Sequence, residues 1–324
     1  MRICLVTPGP WDTRTGNRTT ALRWARILRG LSHRVRVIRD WDGEPCDLLV
    51  ALHARKSHRS IARFHRAHPG RSIVVALTGT DLYRDLPRSR QALRSIEIAS
   101  RLVTLHPLAQ GAVPRAHRGR VRVIHQSVAP LRRLAPPSAR TFDVCVIAHL
   151  RPLKDPFRTA LAARRLPAES RIRVLHAGAA LRPALAARAE VEQERNPRFR
   201  WLGELPRGKL LRTLARCRLM VIASRTEGGA NVVGEGIVAG VPILASRIPG
   251  NVGLLGRSYP GYFEPGDTAA LTRLLRRAET DSDYLTRLRR EVVARRPLFR
   301  PRRELRAWNA LLAELAPPRQ APTA

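Results

Sequence analysis

Lysine is almost missing from this 324-residue chain: Lys56, Lys154 and Lys209 are the only three, although lysine and arginine together number 60. Acidic residues are scarce beside them, 25 in all, leaving a formal net charge of +35 at pH 7. The four cysteines, Cys4, Cys46, Cys145 and Cys217, are far apart and make no CxxC pair, so neither a zinc ribbon nor a disulfide framework is implied. Cys4 and Cys145 fall within apolar, strand-like runs, where buried free thiols are expected. No apolar run approaches the ~20 residues of a membrane span, and the N-terminus shows neither the n-region nor the cleavage site of a signal peptide. A soluble, cytoplasmic protein without integral membrane association is expected. Also lacking are a GxSxG elbow, an HExxH pair and a GxxxxGK[ST] loop, which argues against hydrolases of those classes and P-loop NTPases. Gly250-Asn251-Val252-Gly253 is not a dinucleotide fingerprint.

The positive charge invites a nucleic-acid reading. The arginines, however, are scattered along every expected helix instead of gathering in one tail or stripe. An even spread attracts and steers anionic ligands, and it points to phosphorylated substrates more than to a nucleic-acid face.

What is present is alternation. Apolar, β-rich runs at residues 2–7, 34–38, 47–52, 72–77, 101–105 and 121–124 alternate with helical spacing, first at residues 19–31, where Ala21, Leu22, Trp24, Ala25 and Leu28 recur. A second series follows, with strands expected at 142–148, 173–177, 199–202, 219–223 and 242–245. Helices are expected at 159–164, 179–194, 207–215 and 232–239. Such alternation predicts parallel sheets with helices on both faces, that is, α/β architecture in two doubly wound domains. The stretch 131–140, rich in proline and arginine, reads as a linker between an N-terminal domain (1–130) and a C-terminal one (141–300). Arginine-rich helical patterns cover 268–277 and 281–295, and Pro297 and Pro301 break them. A last helix, with Leu305, Trp308, Leu311, Leu312 and Leu315 on its apolar face, falls within 301–316 and can cross back to the first domain. Residues 317–324 read as a disordered tail. Five histidines, His33, His58, His65, His68 and His117, are assigned surface roles.

In doubly wound sheets ligands bind beyond the carboxyl ends of strands. Past such ends lie the loops at Gly16, at His53-Ala54-Arg55-Lys56-Ser57 and at Thr78-Gly79-Thr80-Asp81, expected to line one crevice. In the second series His149-Leu150-Arg151-Pro152-Leu153-Lys154-Asp155-Pro156 follows the first strand directly. Arg151 can fork onto phosphate oxygens while Lys154 adds a compact charge, so the two can neutralise a diphosphate leaving group. Two exposed cations in so basic a chain would be the plain alternative, but the rarity of lysine singles out Lys154.

The stretch Glu227-Gly228-Gly229-Ala230-Asn231-Val232-Val233-Gly234-Glu235 follows the strand at 219–223. Small residues at a strand-to-helix turn let backbone N–H groups approach an anion. Eight residues are about two helical turns, which would place both glutamates on one face. The alternative is two solvated carboxylates at a helix start, where the macrodipole favours them. Residues 246–254 can wall a base or sugar pocket, or form only a tight turn.

Arg151, Lys154 and the Glu-x7-Glu spacing of Glu227 and Glu235 resemble the retaining GT-B glycosyltransferases of the glycosyltransferase 4 family, and the similarity covers nearly the whole chain. The resemblance implies two Rossmann-like domains facing across a cleft and a UDP-sugar donor, with no metal and no cofactor. It assigns Arg151, Lys154 and Glu227 to the catalytic set. Donor binding would fall to these with Gly16, Asn17, His149, Gly228, Gly229, Ala230, Asn231, Val232 and Glu235. Within that family, TGNRTTALRWARILRGL, LVALHARKSHRSI, LTGTDLYRDL, VIHQSV, HLRPLKDP, EGGANVV and SRIPGNVGLLG look like the selenosugar synthase, SenB-type, branch of selenoneine biosynthesis. That narrower resemblance implies selenophosphate as acceptor and UDP-glucose or UDP-N-acetylglucosamine as donor. Selenophosphate synthetase and the downstream selenoneine enzyme become the candidate protein partners, and no nucleic acid is expected.

The chain has His125-Gln126-Ser127 where ordinary members carry a Pro-Asn-Gly turn, and Thr80-Asp81 where they carry a His-Asp pair. Both departures fit a different acceptor. A charged acceptor needs cations and donors, which Asn17, Arg18, Arg55, Lys56, Ser57 and Thr80 offer. Asp81 can orient a sugar hydroxyl or brace its own loop, with bracing preferred. The rival readings are a conventional glycosyltransferase with a sugar or lipid-linked acceptor, and a basic nucleic-acid-binding protein without catalysis.

Overall fold

The computed structural model describes residues 1–9, 16–130 and 136–315. The expected tail, part of the expected linker and the loop residues 10–15 lie outside the described residues. The chain divides into two compact units, one of Met1–Ser127 with the residues from Pro301, the other of Val128–Arg300.

The first unit is built on six parallel strands: β1 (Arg2–Val6), β2 (Arg34–Ile38), β3 (Leu48–Leu52), β4 (Ser72–Ala76), β5 (Arg101–Thr104) and β6 (Val121–Val123). They lie in the order β2-β1-β3-β4-β5-β6. Side chains alternate across β1: Ile3 and Leu5 join one core, Cys4 and Val6 the other. That period of two is why the sheet needs helices on both faces. Helix α1 (Gly16–Gly30) covers the first face, and α2 (His58–Ala67) and α3 (Arg90–Ile98) cover the second, with Phe64 and Ile96 buried there.

In the second unit the strands are β7 (Phe142–Ile147), β8 (Ile172–Ala177), β9 (Phe199–Trp201), β10 (Leu219–Ile222), β11 (Ile243–Ser246) and β12 (Tyr262–Phe263). Their order is β12-β11-β10-β7-β8-β9, again all parallel. Around them run α4 (Arg158–Ala163), α5 (Pro183–Arg195), α6 (Arg207–Arg216), α7 (Asn231–Ala239), α8 (Pro249–Leu255), α9 (Thr268–Thr280) and α10 (Ser282–Arg295). Read from its far edge, the order is the doubly wound 3-2-1-4-5-6, whose direction reverses between β7 and β10.

Helix α11 (Pro301–Leu315) closes the first unit. Its Trp308 meets Trp24 of α1 edge to face, with ring centroids 4.9 Å apart. The Glu304 carboxylate, fully buried, accepts hydrogen bonds from Trp24 Nε1 (2.8 Å), Ser127 N (2.8 Å), Ser127 Oγ (2.5 Å) and Arg23 Nε (3.3 Å). At the other end of the helix Glu314 takes Arg101 Nε at 2.7 Å and Arg122 at 2.8 Å, and these guanidinium hydrogen bonds hold its carboxyl down at about 2. Pro301 starts this helix, since a first-turn proline has no N–H to lose.

Three sequence readings are corrected. Residues 246–254 are not a loop or tight turn throughout: Pro249 opens the short helix α8. Helix α5 begins at Pro183, after residue 180 has been drawn into a bridge with Leu150. The surface role of the five histidines holds only in part, since all five are half-buried. His58 bonds Ser95 Oγ at 2.9 Å, and His68 packs edge-on against Phe64 and Trp41. The cysteines are buried free thiols, as expected. No helix among the described residues is long and apolar enough to cross a membrane.

Candidate functional site

The reversal of strand order in the second unit brings together the loops that leave β7 and β10. After Ile147 the chain runs extended through Arg151, takes one 3₁₀ turn over Pro152–Lys154, and reverses at Asp155, a non-glycine residue with φ of +43°. Left-handed backbone outside glycine is costly and persists where surrounding contacts hold it. Here they do. The Asp155 carboxylate accepts from Arg158 Nε at 3.0 Å and pairs with Arg225 at 3.8 Å, while Arg225 N donates to the Leu153 carbonyl at 2.9 Å. The β7 and β10 loops are thus fastened to each other by backbone and side chain.

Between them Lys154 Nζ bonds the Glu227 carboxylate, with side chains only 17% and 10% exposed. Arg151, by contrast, is exposed. The His149 ring accepts at Nδ1 from Ala179 N (3.2 Å), tying the β7 exit to the β8 exit. Beneath it, His176 donates from Nε2 to the Ala148 carbonyl at 2.8 Å. Burial lowers the His176 pKa to about 4, so the ring is neutral near pH 7.

Glu227 precedes α7 instead of lying on it. Residues 227–230 form the turn, Gly229 adopts φ of +128°, and the helix starts at Asn231. The eight-residue spacing therefore combines a turn with little more than one turn of helix, which corrects the expectation of two helical turns on a shared face. Glu235 is buried on α7 and forms an ion pair with Arg207 at 2.8 Å. The stretch 246–254 packs directly behind Glu227: a Cβ on Gly250 would stand 2.2 Å from the Glu227 carbonyl oxygen, so only glycine fits there. Asn251 stays fully buried in the same helix, donating to the Ser246 carbonyl at 2.9 Å.

In the first unit the loops past β3 and β4 join in a second polar cluster. His53, buried and left-handed at φ of +74°, accepts Lys56 N at Nδ1 (3.3 Å) and so donates from Nε2 toward Thr80 Oγ1 at 3.1 Å. Burial lowers its pKa against the opposing pull of Asp81 and Asp85. Asp81 is completely buried and accepts from Ala54 N (3.0 Å), Thr78 N (2.9 Å) and Gly79 N (2.8 Å), which makes it the brace of both loops. Ser57 is buried as well, its hydroxyl donating to the Leu52 carbonyl at 2.7 Å. Arg55 lies against Asp85 at 2.8 Å, and Lys56 is exposed. Asp85 keeps a lowered pKa because the Arg55 and Arg84 bonds outweigh its burial. Gly16 and Asn17 open α1, and Arg18 follows them on its first turn.

Of the sequence-derived donor residues, Arg151, Lys154, Glu227, Gly228, Gly229, Ala230, Asn231, Val232, Glu235 and His149 all belong to the second unit. Gly16 and Asn17 belong to the first, with every residue assigned to the acceptor. Sequence reading placed His53 and Asp155 in loops past strand ends without giving either a role, and it did not single out Arg225 or Arg207. Asp155 stood next to Lys154 and carried a signal; the two arginines were hidden among so many others.

The architecture is shared widely among solved structures. HepE of Anabaena, in complex with UDP and glucose, matches with a TM-score of 0.78 at 17% identity, over 97% of this chain and 100% of its own. Sucrose-phosphate synthase from Thermosynechococcus elongatus matches at 0.76 and 14%, over 97% and 98%. The trehalose-6-phosphate synthase OtsA matches at 0.75 and 12%, over 97% and 99%. Residues 135–294 match the family described as Glycosyl transferases group 1. The chain accordingly has the GT-B fold, and residues 135–294 of its second unit are similar to the glycosyl transferases group 1 family.

Proposed function

We propose that the protein is a UDP-sugar-dependent glycosyltransferase that moves a hexosyl or N-acetylhexosaminyl group onto the selenium of selenophosphate. The observation that carries the donor half is the Lys154–Glu227 pair, held at the point where strand order reverses and walled by Gly250. UDP-bound and UDP-glucose-bound HepE among the structural neighbours support the same donor class.

In this scheme Arg151 and Lys154 take the donor diphosphate. Glu227 and the amides of Gly228, Gly229, Ala230 and Asn231 hold the sugar, and the Glu235 carboxylate accepts from the ribose hydroxyls. A selenium lone pair attacks the anomeric carbon, the bond from that carbon to the β-phosphate oxygen breaks, and its electron pair leaves on UDP. Water then cleaves the P–Se bond, giving phosphate and the selenosugar. Selenium is already a strong nucleophile, so no general base is required. The protein's work is positioning and neutralising charge that grows on the departing UDP. No metal or other cofactor enters the scheme, and selenophosphate binds through Arg55, Lys56 and Thr80 on the first unit.

The support for the acceptor is chemical: exposed or half-exposed cations and a hydroxyl carried on loops fixed by Asp81 and His53. The test is UDP release from a panel of UDP-sugars with selenophosphate, with thiophosphate and with no acceptor. Release that rises with selenophosphate supports the proposal. Release that never depends on selenophosphate overturns the acceptor, and absence of UDP release under all conditions overturns the donor reading too.

A further inference from the structure

We propose that Arg207 is a positioning residue that fixes the Glu235 carboxylate for the ribose diol, and thereby sets the preference for ribonucleotide over deoxyribonucleotide donors. This rests on the donor reading above, in which Glu235 meets the ribose.

The Glu235 side chain is 4% exposed and lies on α7, a helix that also buries Val233 and Ile237 completely. A carboxylate taken out of water in such surroundings is costly unless it is paired. Arg207 Nη1 supplies a pair at 2.8 Å, yet its own side chain stays 53% exposed. As a structural device this is a poor choice, because apolar side chains of similar volume fill buried positions at equal or lower cost. Helix stability does not explain the arginine either. Arg207 is the first residue of α6, where the macrodipole disfavours a cation, and that first turn holds no acid to offset it.

What the arrangement does provide is aim. A guanidinium presents its donors in a rigid fork, so a carboxylate bound to it is restricted in rotation. A carboxylate has about four acceptor positions, enough for Arg207 and for two vicinal hydroxyls together.

The inference is tested by titrating the wild type, Arg207→Ala, Arg207→Lys and Glu235→Gln calorimetrically with UDP and with 2′-deoxy-UDP. A hydroxyl bonded to a charged acceptor accounts for about a tenfold to hundredfold preference. The wild type is expected to prefer UDP by that factor. In Arg207→Ala and Glu235→Gln the preference should fall below about threefold, and Arg207→Lys, which keeps the charge, should recover part of it. Should the alanine variant fail to fold, Arg207→Gln takes its place. An arginine that serves only stability weakens both nucleotides alike and leaves their ratio intact, and that result overturns the inference. A wild type that binds neither nucleotide overturns the donor reading itself. A wild type that binds both equally overturns the role of Glu235 and, with it, that of Arg207.

Discussion

Lys154→Ala removes a cation from a pair whose two side chains are 17% and 10% exposed. Breaking a fully buried pair costs about 3–5 kcal/mol, and the remaining solvent contact here reduces that to about 1–3 kcal/mol of stability in the second unit. On the donor role proposed for Lys154 the larger effect is kinetic. Loss of one preorganised group that stabilises transition-state charge costs about 10²–10³ in kcat, or about 2.7–4 kcal/mol of barrier. The assay is UDP release at saturating acceptor, paired with thermal unfolding with and without UDP. We expect kcat to fall by that factor while the acceptor KM moves less than about threefold. In the wild type UDP at a hundred times its Kd adds about 2.7 kcal/mol of stability, and a tenfold loss of affinity in the variant removes about 1.4 kcal/mol of that gain. Lys154→Met, which preserves length without charge, should behave as the alanine variant does. Turnover within about threefold of the wild type in either variant would refute the assignment of Lys154 to the departing diphosphate.

Glu304→Ala leaves the Trp24 and Ser127 donors without their buried acceptor and should destabilise the first unit by about 3–5 kcal/mol, read as a lower urea midpoint. Glu304→Gln keeps the shape and should cost less, about 1–2 kcal/mol. His176 gives a pH dependence of known sign. Its folded pKa of about 4 lies below the ordinary 6.5, so its stabilising contribution is complete above pH 6.5 and is lost as pH falls toward 4. Over that window the loss is about 3 kcal/mol, at about 1.4 kcal/mol per pH unit. Urea unfolding at pH 7 and pH 5 should therefore show a flatter dependence in His176→Gln than in the wild type, and equal slopes would contradict the burial argument.

The strands were legible because their apolar runs end at proline, glycine or polar turns, as residues 2–7 do at Pro8-Gly9. The β10-to-α7 segment was legible for the opposite reason, since glycine and alanine between two glutamates have little purpose in a plain helix start. Residues 246–254 misled because proline and glycine weigh against a helix in isolation, whereas Pro249 opens α8 and Gly250 is demanded by the Glu227 backbone. Arg207 and Arg225 could not be singled out, because an arginine that pairs a buried carboxylate looks the same in sequence as one that faces water. Asp81 was partly readable: bracing was the preferred role, and three backbone N–H groups converge on it. The lowered pKa of buried His106 and half-buried His125, about 4 for each, was not, because the desolvation that causes it comes from packing that the local sequence does not show.

The most direct test is UDP release from UDP-glucose and UDP-N-acetylglucosamine with the wild-type protein, measured with and without selenophosphate. The account predicts slow release with the donor alone and a rise with selenophosphate that saturates, together with a selenium-containing sugar as product. Release that is the same with and without selenophosphate, or no selenosugar, would contradict it.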